Sequence, residues 1–260
     1  MLRTTHQRIT FIGSGNVASH FAQVLYQNGN TIVQIWSRQQ SHAEELASRV
    51  GATATDSWEE LSQETDVVII AITDDALYNL PDELHFNHAL VLHTSGSVPM
   101  ETLKCVSSQY GVLWSPQSFV RNEPIDYAAL PLCIEGNTPI AEQVIRQLVE
   151  PISQHIYPLN GNQRRWVHLC AVMANNFGNA LNATAEQLMQ QQQIPFEILH
   201  PIISLTSQKA QHGDLWKQQT GPAIRRDEKT LESHRQLLKE NPQLLELYNI
   251  MTNIIQDGTH

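Results

Sequence analysis

The sequence predicts an α/β fold: a doubly wound, mostly parallel sheet followed by an all-helical C-terminal domain. The first observation behind this prediction is that short apolar runs alternate with helically spaced apolar residues through about residue 158. The second is that no convincing strand pattern follows the turn at residues 159–162 (LNGN). We therefore expect two domains, residues 1–158 containing the sheet and residues 159–260 containing helices.

A glycine-rich turn near the N-terminus is the third observation. Residues 9–12 form a short apolar run, residues 13–18 (GSGNVA) follow it, and apolar residues then recur at helical spacing. Strand, glycine turn and helix in this order are typical of a dinucleotide site, and the alternative is a plain glycine turn. The first glycine permits the tight turn, the second lets a pyrophosphate approach the backbone, and the alanine keeps helix and sheet close. The predicted phosphate site comprises Gly13, Ser14, Gly15, Asn16, Val17 and Ala18.

The end of the second predicted strand, residues 31–36 (TIVQIW), indicates which dinucleotide binds. Ser37 and Arg38 follow it about twenty residues beyond the glycines, where such folds contact the adenosine ribose. An NAD site usually carries an acid there, but no acidic residue lies between Gly13 and Ala43. A hydroxyl and a guanidinium suit a 2′-phosphate instead, because arginine binds phosphate through paired hydrogen bonds. We therefore expect NADP as the cofactor; the alternative is an exposed loop arginine.

Two later strands contribute further candidate contacts. Residues 67–72 (VVIIAI) form the most apolar run, which is typical of a parallel strand buried on both faces. Another strand is expected at residues 89–93, with His93 at its end on the nicotinamide side. Ligands of open α/β sheets bind outside the C-terminal ends of the strands. The further predicted cofactor contacts are Ala71, Ile72, Thr73, Ser95 and Gly96.

The C-terminal half predicts a series of helices. The longest pattern, residues 164–190, is apolar around much of its circumference. A helix that apolar needs more cover than a domain of about a hundred residues easily provides. We therefore expect a homodimer formed through the C-terminal helices. The shorter helical patterns cover residues 195–213, 214–219, 227–240 and 242–256.

Composition argues against several classes of function. The net charge is −10 and no basic run occurs, so we expect neither nucleic acid nor a membrane as a partner. No apolar run approaches the length of a membrane span. No HxxxH or HExxH spacing occurs, so we expect no metal site. The cysteines form no CxxC motif, which favours a reduced, cytoplasmic protein whose thiols, including Cys170, are small buried groups.

Several motifs together resemble a known group of proteins. In the first half, GSGNVA, IWSR, AITDD, HTSGS and WSPQSF resemble NADP-binding proteins of the pyrroline-5-carboxylate reductase and deazaflavin-dependent NADP oxidoreductase type. In the second half, RRWVHLCAVMANNF and TGPAIRRDEKTLESH resemble an uncharacterised Rossmann-like family with a helical C-terminal domain. The resemblance covers nearly the whole chain. It implies an NADP-binding domain and a helical dimerisation domain, and it supplies no substrate.

The resemblance also directs attention to the first long helix of the C-terminal half. Related hydroxyacid dehydrogenases place their acid and their orienting amide on that helix, which here offers His168, Asn175 and Asn176 as catalytic candidates. His168 and Asn175 are seven residues apart, or about 700° around an α-helix, so they share a face. Asn176 matches the usual asparagine of the family. The alternative is that these side chains bond another helix, since buried amides need partners in any case.

A second group of polar residues lies later in the chain. Asp227, Thr230 and His234 have the spacing i, i+3, i+7, which places them on one helix face behind Arg225 and Arg226. Helix capping with salt bridging is one interpretation. The other is a substrate-facing patch, either within one subunit or reaching the cleft of a partner subunit. Arg226 stands where the family often has glycine.

Three functions remain open from the sequence. The first is an NADP-dependent oxidoreductase that transfers hydride to or from a small metabolite of unknown identity. The second is a non-catalytic NADP-binding regulator or scaffold, because the first helix of the second domain has no Lys-xxx-Asn pair. The third is pyrroline-5-carboxylate reductase itself, which the different C-terminal half argues against. The motifs support nucleotide binding more strongly than catalysis.

Overall fold

The chain consists of two compact units. The computed structural model describes residues 6–258. The first unit, Met1–Asn179, contains the sheet, and the second, Ala180–His260, is helical. The last strand ends at Pro158, close to the expected domain boundary, but the helices that follow as far as Asn179 are compact with the sheet. The boundary between residues 158 and 159 therefore stays a prediction based on secondary structure.

The sheet has eight strands in the order β3-β2-β1-β4-β5-β6-β7-β8. Neighbouring strands run parallel except for β6 and β7, which are antiparallel. The chain moves outward from β1 to β3 and then returns to β4 beside β1, which is the switch point of a doubly wound fold. The expected fold class is confirmed. The strands are Arg8–Ile12 (β1), Thr31–Trp36 (β2), Thr53–Thr55 (β3), Val67–Ile70 (β4), Leu90–His93 (β5), Gln109–Trp114 (β6), Leu132–Gly136 (β7) and Ile156–Pro158 (β8).

Burial follows the apolar pattern of the strands. All four residues of β4 and all four of β5 are buried, as expected for central parallel strands covered on both faces. One core cluster joins β1 to the apolar side of α1 and of α4, and a second lies on the opposite face around Ile70 and Phe86. The sheet thus fixes the strand ends rigidly, which matters because the candidate contacts lie there. The helices of this unit are Asn16–Gln27 (α1), Gln40–Val50 (α2), Asp74–Tyr78 (α3), Pro139–Val149 (α4) and Gly161–Ala171 (α5).

The long helical pattern of the second half is interrupted once. After α5, residues Val172–Phe177 form a turn of π-helix, and the α-helix α6, Gly178–Gln191, follows directly. The second unit carries most of α6 and three further helices. These are His200–Ala210 (α7), Glu228–Leu237 (α8) and Pro242–Asp257 (α9).

Several expected helices are shorter in the structure. Residues 214–219 reduce to the 3₁₀ turn Trp216–Gln218, and a further 3₁₀ turn, Met100–Leu103, follows β5. Within residues 195–213, the 3₁₀ turn Phe196–Leu199 precedes α7, because Pro201 suits the first turn of a helix rather than its interior. Short segments of this kind satisfy helical spacing without enough residues to sustain an α-helix.

Candidate cofactor and active site

A cavity of about 980 Å³ opens at the C-terminal ends of the central strands in the first unit. It lies at the switch point beside β1, which is where doubly wound folds bind their ligands. Eleven of the thirteen predicted cofactor contacts line it; Ala18 and Gly96 do not. Those eleven are Gly13, Ser14, Gly15, Asn16, Val17, Ser37, Arg38, Ala71, Ile72, Thr73 and Ser95.

The glycine turn has the geometry that a phosphate site requires. Gly13 has φ +116°, and a Cβ placed there would lie 2.2 Å from the carbonyl oxygen of Ala71. Gly15 faces open space, since a Cβ there would meet no atom within 4 Å. No side chain caps the start of α1, which leaves its first N–H groups available to an anion. Ala18 is fully buried between helix and sheet, so it acts through packing rather than contact with the ligand.

The end of β2 carries the residues expected to distinguish NADP from NAD. The Ser14 hydroxyl donates to the Ser37 hydroxyl over 2.9 Å, which ties the second strand end to the glycine turn. Arg38 is exposed and makes no hydrogen bond or ion pair with any residue from 6 to 258, so its guanidinium is available to a ligand. The N–H of Ser37 donates to the carbonyl of Thr55. This bond places Asp56, an acid that sequence reasoning did not include, at the same end of the cavity.

Two tryptophans form a flat apolar wall near Arg38. The rings of Trp36 and Trp58 are stacked, with centroids 3.8 Å apart, and both residues line the cavity. Trp58 lies in an irregular loop after β3. Sequence reasoning missed this wall, because only the parallel pairing of β2 with β3 brings the two rings together.

A segment after β6 passes over the glycine turn. The Asn16 side chain donates to the carbonyl of Phe119, and Arg121 donates to the carbonyl of Ser14 over 2.7 Å. Arg121 also forms an ion pair with Glu45, and it lines the cavity. A second guanidinium therefore lies beside the expected pyrophosphate position. The WSPQSF motif gave the only sequence signal for this segment.

The loop after β5 is held by a hydrogen-bonded network. The Nδ1 atom of His93 accepts from the N–H of Ser95, whose hydroxyl accepts from the N–H groups of Ser97 and Val98. Burial, together with the nearby charge of Arg164, lowers the pKa of His93 to about 3. His93 is therefore a neutral, buried ring that orders the loop, and it does not itself line the cavity.

His168 lies against this same loop. A Cβ on Gly96 would be 3.0 Å from the ring of His168 and 2.8 Å from that of Trp114, so only glycine allows this packing. The two rings meet edge to face with centroids 5.8 Å apart. The His168 side chain is half-buried, and its ring makes no hydrogen bond to the described part of the chain. It does not line the cavity, but it adjoins the loop whose Thr94 and Ser95 do.

A π turn interrupts the helix between His168 and the two asparagine candidates. Both Asn175 and Asn176 lie within it, and both are exposed. Because i→i+5 bonding gives a wider turn than an α-helix, each residue of the π turn advances through a smaller angle around the helix axis, which favours Asn176 over Asn175 for the face of His168. The shared face expected for His168 and Asn175 assumed an uninterrupted α-helix. π turns are often found at functional sites.

The second polar group belongs to the helical unit. Asp227 caps α8, since its carboxylate accepts from the N–H and the hydroxyl of Thr230, and these bonds lower its pKa. The ring of His234 bonds the hydroxyl of Tyr248 on α9. Arg226 has φ +54°, a left-handed conformation that glycine adopts without strain. The contacts of Asp227 and His234 are thus of the capping and helix-linking kind.

Three further findings bear on the chemistry available. Among residues 6–258, no group of three or more His, Cys, Asp or Glu side chains could hold a metal ion. Over the same residues, the helices are too short or too polar to cross a membrane. All three cysteines are unpaired, and burial raises the pKa of Cys133 to about 11. Cys105 and Cys170, which were expected to be buried, are exposed.

The fold and the cavity define a dinucleotide-binding protein with a helical C-terminal unit, and comparisons with known proteins narrow this class. The family described as NADP oxidoreductase, coenzyme F420-dependent, matches residues 8–95, and domain of unknown function DUF2520 matches residues 130–255. A Bacteroides fragilis protein assigned to the NADP oxidoreductases is 30% identical, with 98% of this chain and 99% of that one covered and a TM-score of 0.87. The chain therefore belongs to this family of NADP oxidoreductases.

More distant structures share the fold. A Thermotoga maritima protein is 20% identical over 96% of this chain and 98% of that one, with a TM-score of 0.76. A reductive aminase from Aspergillus terreus, solved with NADPH and ethyl-5-oxohexanoate, is 13% identical over 98% and 96%, with a TM-score of 0.72. No curated protein sequence matches the chain. The expected family and cofactor class are confirmed, and the substrate is left open.

Proposed function

We propose that the protein is an oxidoreductase that transfers hydride between NADP and a small metabolite at the loop after β5. The observation that carries this proposal is the contact of His168 with Gly96, which puts a free imidazole beside a loop of the cofactor cavity. Hydride transfer is supplied by the nicotinamide when the cofactor is bound, and the chain contributes orientation, a proton donor and exclusion of water. A histidine can donate that proton near neutral pH.

The cavity supports a definite assignment of the cofactor contacts. The free N–H groups at the start of α1 and the guanidinium of Arg121 would bind the pyrophosphate, because both present donors to the same space. Arg38 would bind the 2′-phosphate, since its guanidinium has no partner within residues 6–258. Trp58 would pack against the adenine through the exposed face of the tryptophan stack.

On the substrate side, we assign His168 as the general acid and Asn176 as the amide that orients the substrate. The π turn supports Asn176 over Asn175, because it rotates Asn176 toward His168. An amide can hydrogen-bond a substrate carbonyl, imine or carboxylate. Ala18, Gly96 and Asn175 would then act indirectly, through packing and helix geometry, rather than by contact with cofactor or substrate.

We further propose that the protein works as a homodimer in the cytoplasm, joined through its C-terminal helices. In the described part of the second unit, the buried apolar residues are Ala223 and Leu231. Meanwhile α7 presents Ile202 and Leu205 to solvent, and α9 presents Ile250 and Ile254. A unit with so little core needs its apolar faces covered, and a second copy of the same unit provides faces of matching character. The unpaired cysteines are in keeping with a reducing compartment.

Turnover is the direct test of the function. NADPH oxidation should be measured against a panel of imines, keto acids and aldehydes, with wild-type protein and with His168→Ala. We expect at least one class to be reduced, and His168→Ala to lower kcat by roughly 10²–10⁴-fold, the usual contribution of a general acid. His212→Ala is the matched control, because His212 is exposed and lies in the helical unit. NADPH binding without turnover of any class would favour the regulator or scaffold instead.

Calorimetry tests the cofactor assignment separately from turnover. We expect NADPH to bind more tightly than NADH, and Arg38→Ala to weaken NADPH binding by about 1–3 kcal/mol, the scale of a lost charged hydrogen bond. NADH binding should change little, because it has no 2′-phosphate. Arg8→Ala is the control, since Arg8 pairs with Glu64 on the surface at the start of β1. Equal affinity of the native protein for both cofactors would contradict the assignment.

A further inference from the structure

The most deeply buried charged side chain of the described residues lies one helical turn before His168. Arg164 is only 1% exposed, although arginine is rarely buried unless it is paired. It lies in the first turn of α5, whose start is capped by Asn160. The proposed chemistry gives this residue no role, and the sequence pointed to it only as the first residue of the motif RRWVHLCAVMANNF.

Arg164 joins three elements of the first unit. One nitrogen of its guanidinium forms a close ion pair with Glu135 on β7. The other donates to the carbonyl of Val98, at the end of the loop after β5, over 2.7 Å. The second carboxylate oxygen of Glu135 accepts the N–H of Gly161 at the start of the same helix. The Arg164–Glu135 pair therefore joins the start of helix α5 both to the sheet and to the loop after β5.

The Arg164 hydrogen bond to Val98 continues through a second hydrogen bond to a residue that lines the cavity. The N–H of Val98 donates to the hydroxyl of Ser95, and Ser95 lines the cavity. One turn along α5, the ring of His168 packs on Gly96 of that same loop. Arg164 thus holds two surfaces in register: the loop beside the expected nicotinamide position and the helix that carries the imidazole.

We propose that Arg164, with Glu135, is a positioning residue for the reaction, an inference that rests on the proposed function. It fixes the distance and angle between His168 and the loop at Ser95, and it touches neither cofactor nor substrate. Its guanidinium suits this task, because a planar fork fixes two acceptors in one plane. A misplacement of about 1 Å at a reacting group can lower the rate about 10²-fold, so a rigid attachment matters more here than elsewhere in the fold.

The test uses the full-length protein and three variants: Arg164→Met, Arg164→Met/Glu135→Met, and the control Arg146→Met. The single variant leaves the Glu135 carboxylate without its cation and is expected to be less stable. In the double variant, apolar side chains of similar volume replace a buried ion pair, a change that is often neutral for stability. Arg146 lies on α4, where its pairing with Glu142 is exposed.

Two measurements decide the matter. The first is the nuclear Overhauser effect between the His168 ring Hδ2 and the Gly96 Hα in histidine-labelled protein with NADPH bound. The second is kcat for NADPH oxidation with 1-pyrroline, a simple cyclic imine. We expect the stable double variant to lose most of the Overhauser effect and about 10- to 100-fold in kcat, with NADPH affinity within about twofold of wild type, in line with the cost of misplacement. Arg146→Met should match wild type in both.

A double-mutant cycle separates positioning from mere stability. In a His168→Ala background, the double variant should cause no further loss of kcat, because the ring that it misplaces is already absent. The proposal would be overturned if the double variant were as stable as the wild type and also kept the wild-type Overhauser effect and turnover. It would also be overturned if the loss of kcat in the double variant added fully to the loss in His168→Ala. If His168→Ala itself leaves kcat unchanged, the proposed function fails at that residue, and the Overhauser effect still decides whether Arg164 positions the ring.

Discussion

The two units of this protein bury their apolar residues to very different extents. In the first unit, every residue of β4 and β5 is buried, and two large core clusters lie on the faces of the sheet. In the described part of the second unit, α7 has no buried residue, and α8 and α9 each have one. Large side chains such as Ile202, which is 60% exposed, stand free instead.

This difference shows where each unit obtains its stability. The first unit has enough buried apolar surface to fold around its own core, so its cavity is built on fixed strand ends. The second unit buries few of its apolar residues, and under the proposed dimeric assembly its stability should depend on protein concentration. Each of the following predictions changes one side of this comparison, from the largest expected effect to the smallest.

The largest effect is expected within the sheet unit at Gly13. In Gly13→Ala the new Cβ would lie 2.2 Å from the Ala71 carbonyl oxygen, at a φ of +116°. We expect a loss of about 3–5 kcal/mol in the free energy of unfolding, from backbone strain together with overpacking. Urea denaturation measures it. Gly15→Ala is the control, because a Cβ there meets open space. A similar loss in both variants would contradict the assignment of the loss to the close contact and the positive φ at Gly13.

The next effect is expected in the helical unit at Ile202. Ile202→Asp places a charge on the exposed apolar face of α7, and we expect it to weaken dimerisation by about 2–4 kcal/mol, as at a central interface residue. Light scattering at micromolar concentration should show a dimer for the wild type and a monomer for the variant. Ile140→Asp is the matched control, because Ile140 is 70% exposed but lies on α4 of the sheet unit. A wild-type monomer would contradict the proposed assembly.

An intermediate effect concerns the pH dependence of the sheet unit. Burial lowers the pKa of His93 from 6.5 to about 3 in the folded chain. As the pH falls below about 6.5, the unfolded chain binds a proton that the folded chain does not, so stability falls with pH toward about 3. Between pH 7 and pH 5 the loss should be about 2 kcal/mol. Thermal unfolding of wild type and His93→Gln at both pH values should show that the variant has lost this part of the slope. If stability depended on pH equally steeply in His93→Gln and in the wild type, the assignment of this loss to His93 would be contradicted.

The smallest effect is expected at Arg226 in the helical unit. Its left-handed backbone, with φ +54°, costs an ordinary residue about 1 kcal/mol. Arg226→Gly removes this strain but adds chain entropy to the unfolded state, so the net gain should be at most about 1 kcal/mol. Chemical denaturation at a fixed protein concentration measures the change in the free energy of unfolding. Arg225→Gly is the control, because position 225 has an ordinary φ, and glycine there should not stabilise the unit. A loss of stability in Arg226→Gly would show that the arginine side chain contributes more than its backbone costs.

Much of the cofactor cavity could be predicted from the sequence, because its residues lie next to their own strand ends. The glycine turn follows β1 directly, and Ser37 and Arg38 follow β2, so local pattern and chain order were sufficient. Trp58, Asp56 and Arg121 could not be predicted, since strand pairing or a passing segment brings them to the cavity from elsewhere in the chain. The π turn at residues 172–177 could not be predicted either, because no sequence pattern indicates one, so the shared face of His168 and Asn175 stays a prediction for an uninterrupted α-helix.

The sequence by itself determined the order of strands and helices, the glycine turn and the character of the nucleotide site, since these depend on interactions between near neighbours along the chain. Only the tertiary structure decided what surrounds His168, because Gly96, Trp114 and the Arg164–Glu135 pair come from separate strands and a helix. Only the tertiary structure, likewise, revealed how little of the helical unit is buried. Burial depends on contacts between distant residues, and an amphipathic helix has the same pattern whether its apolar face meets its own chain or a second copy.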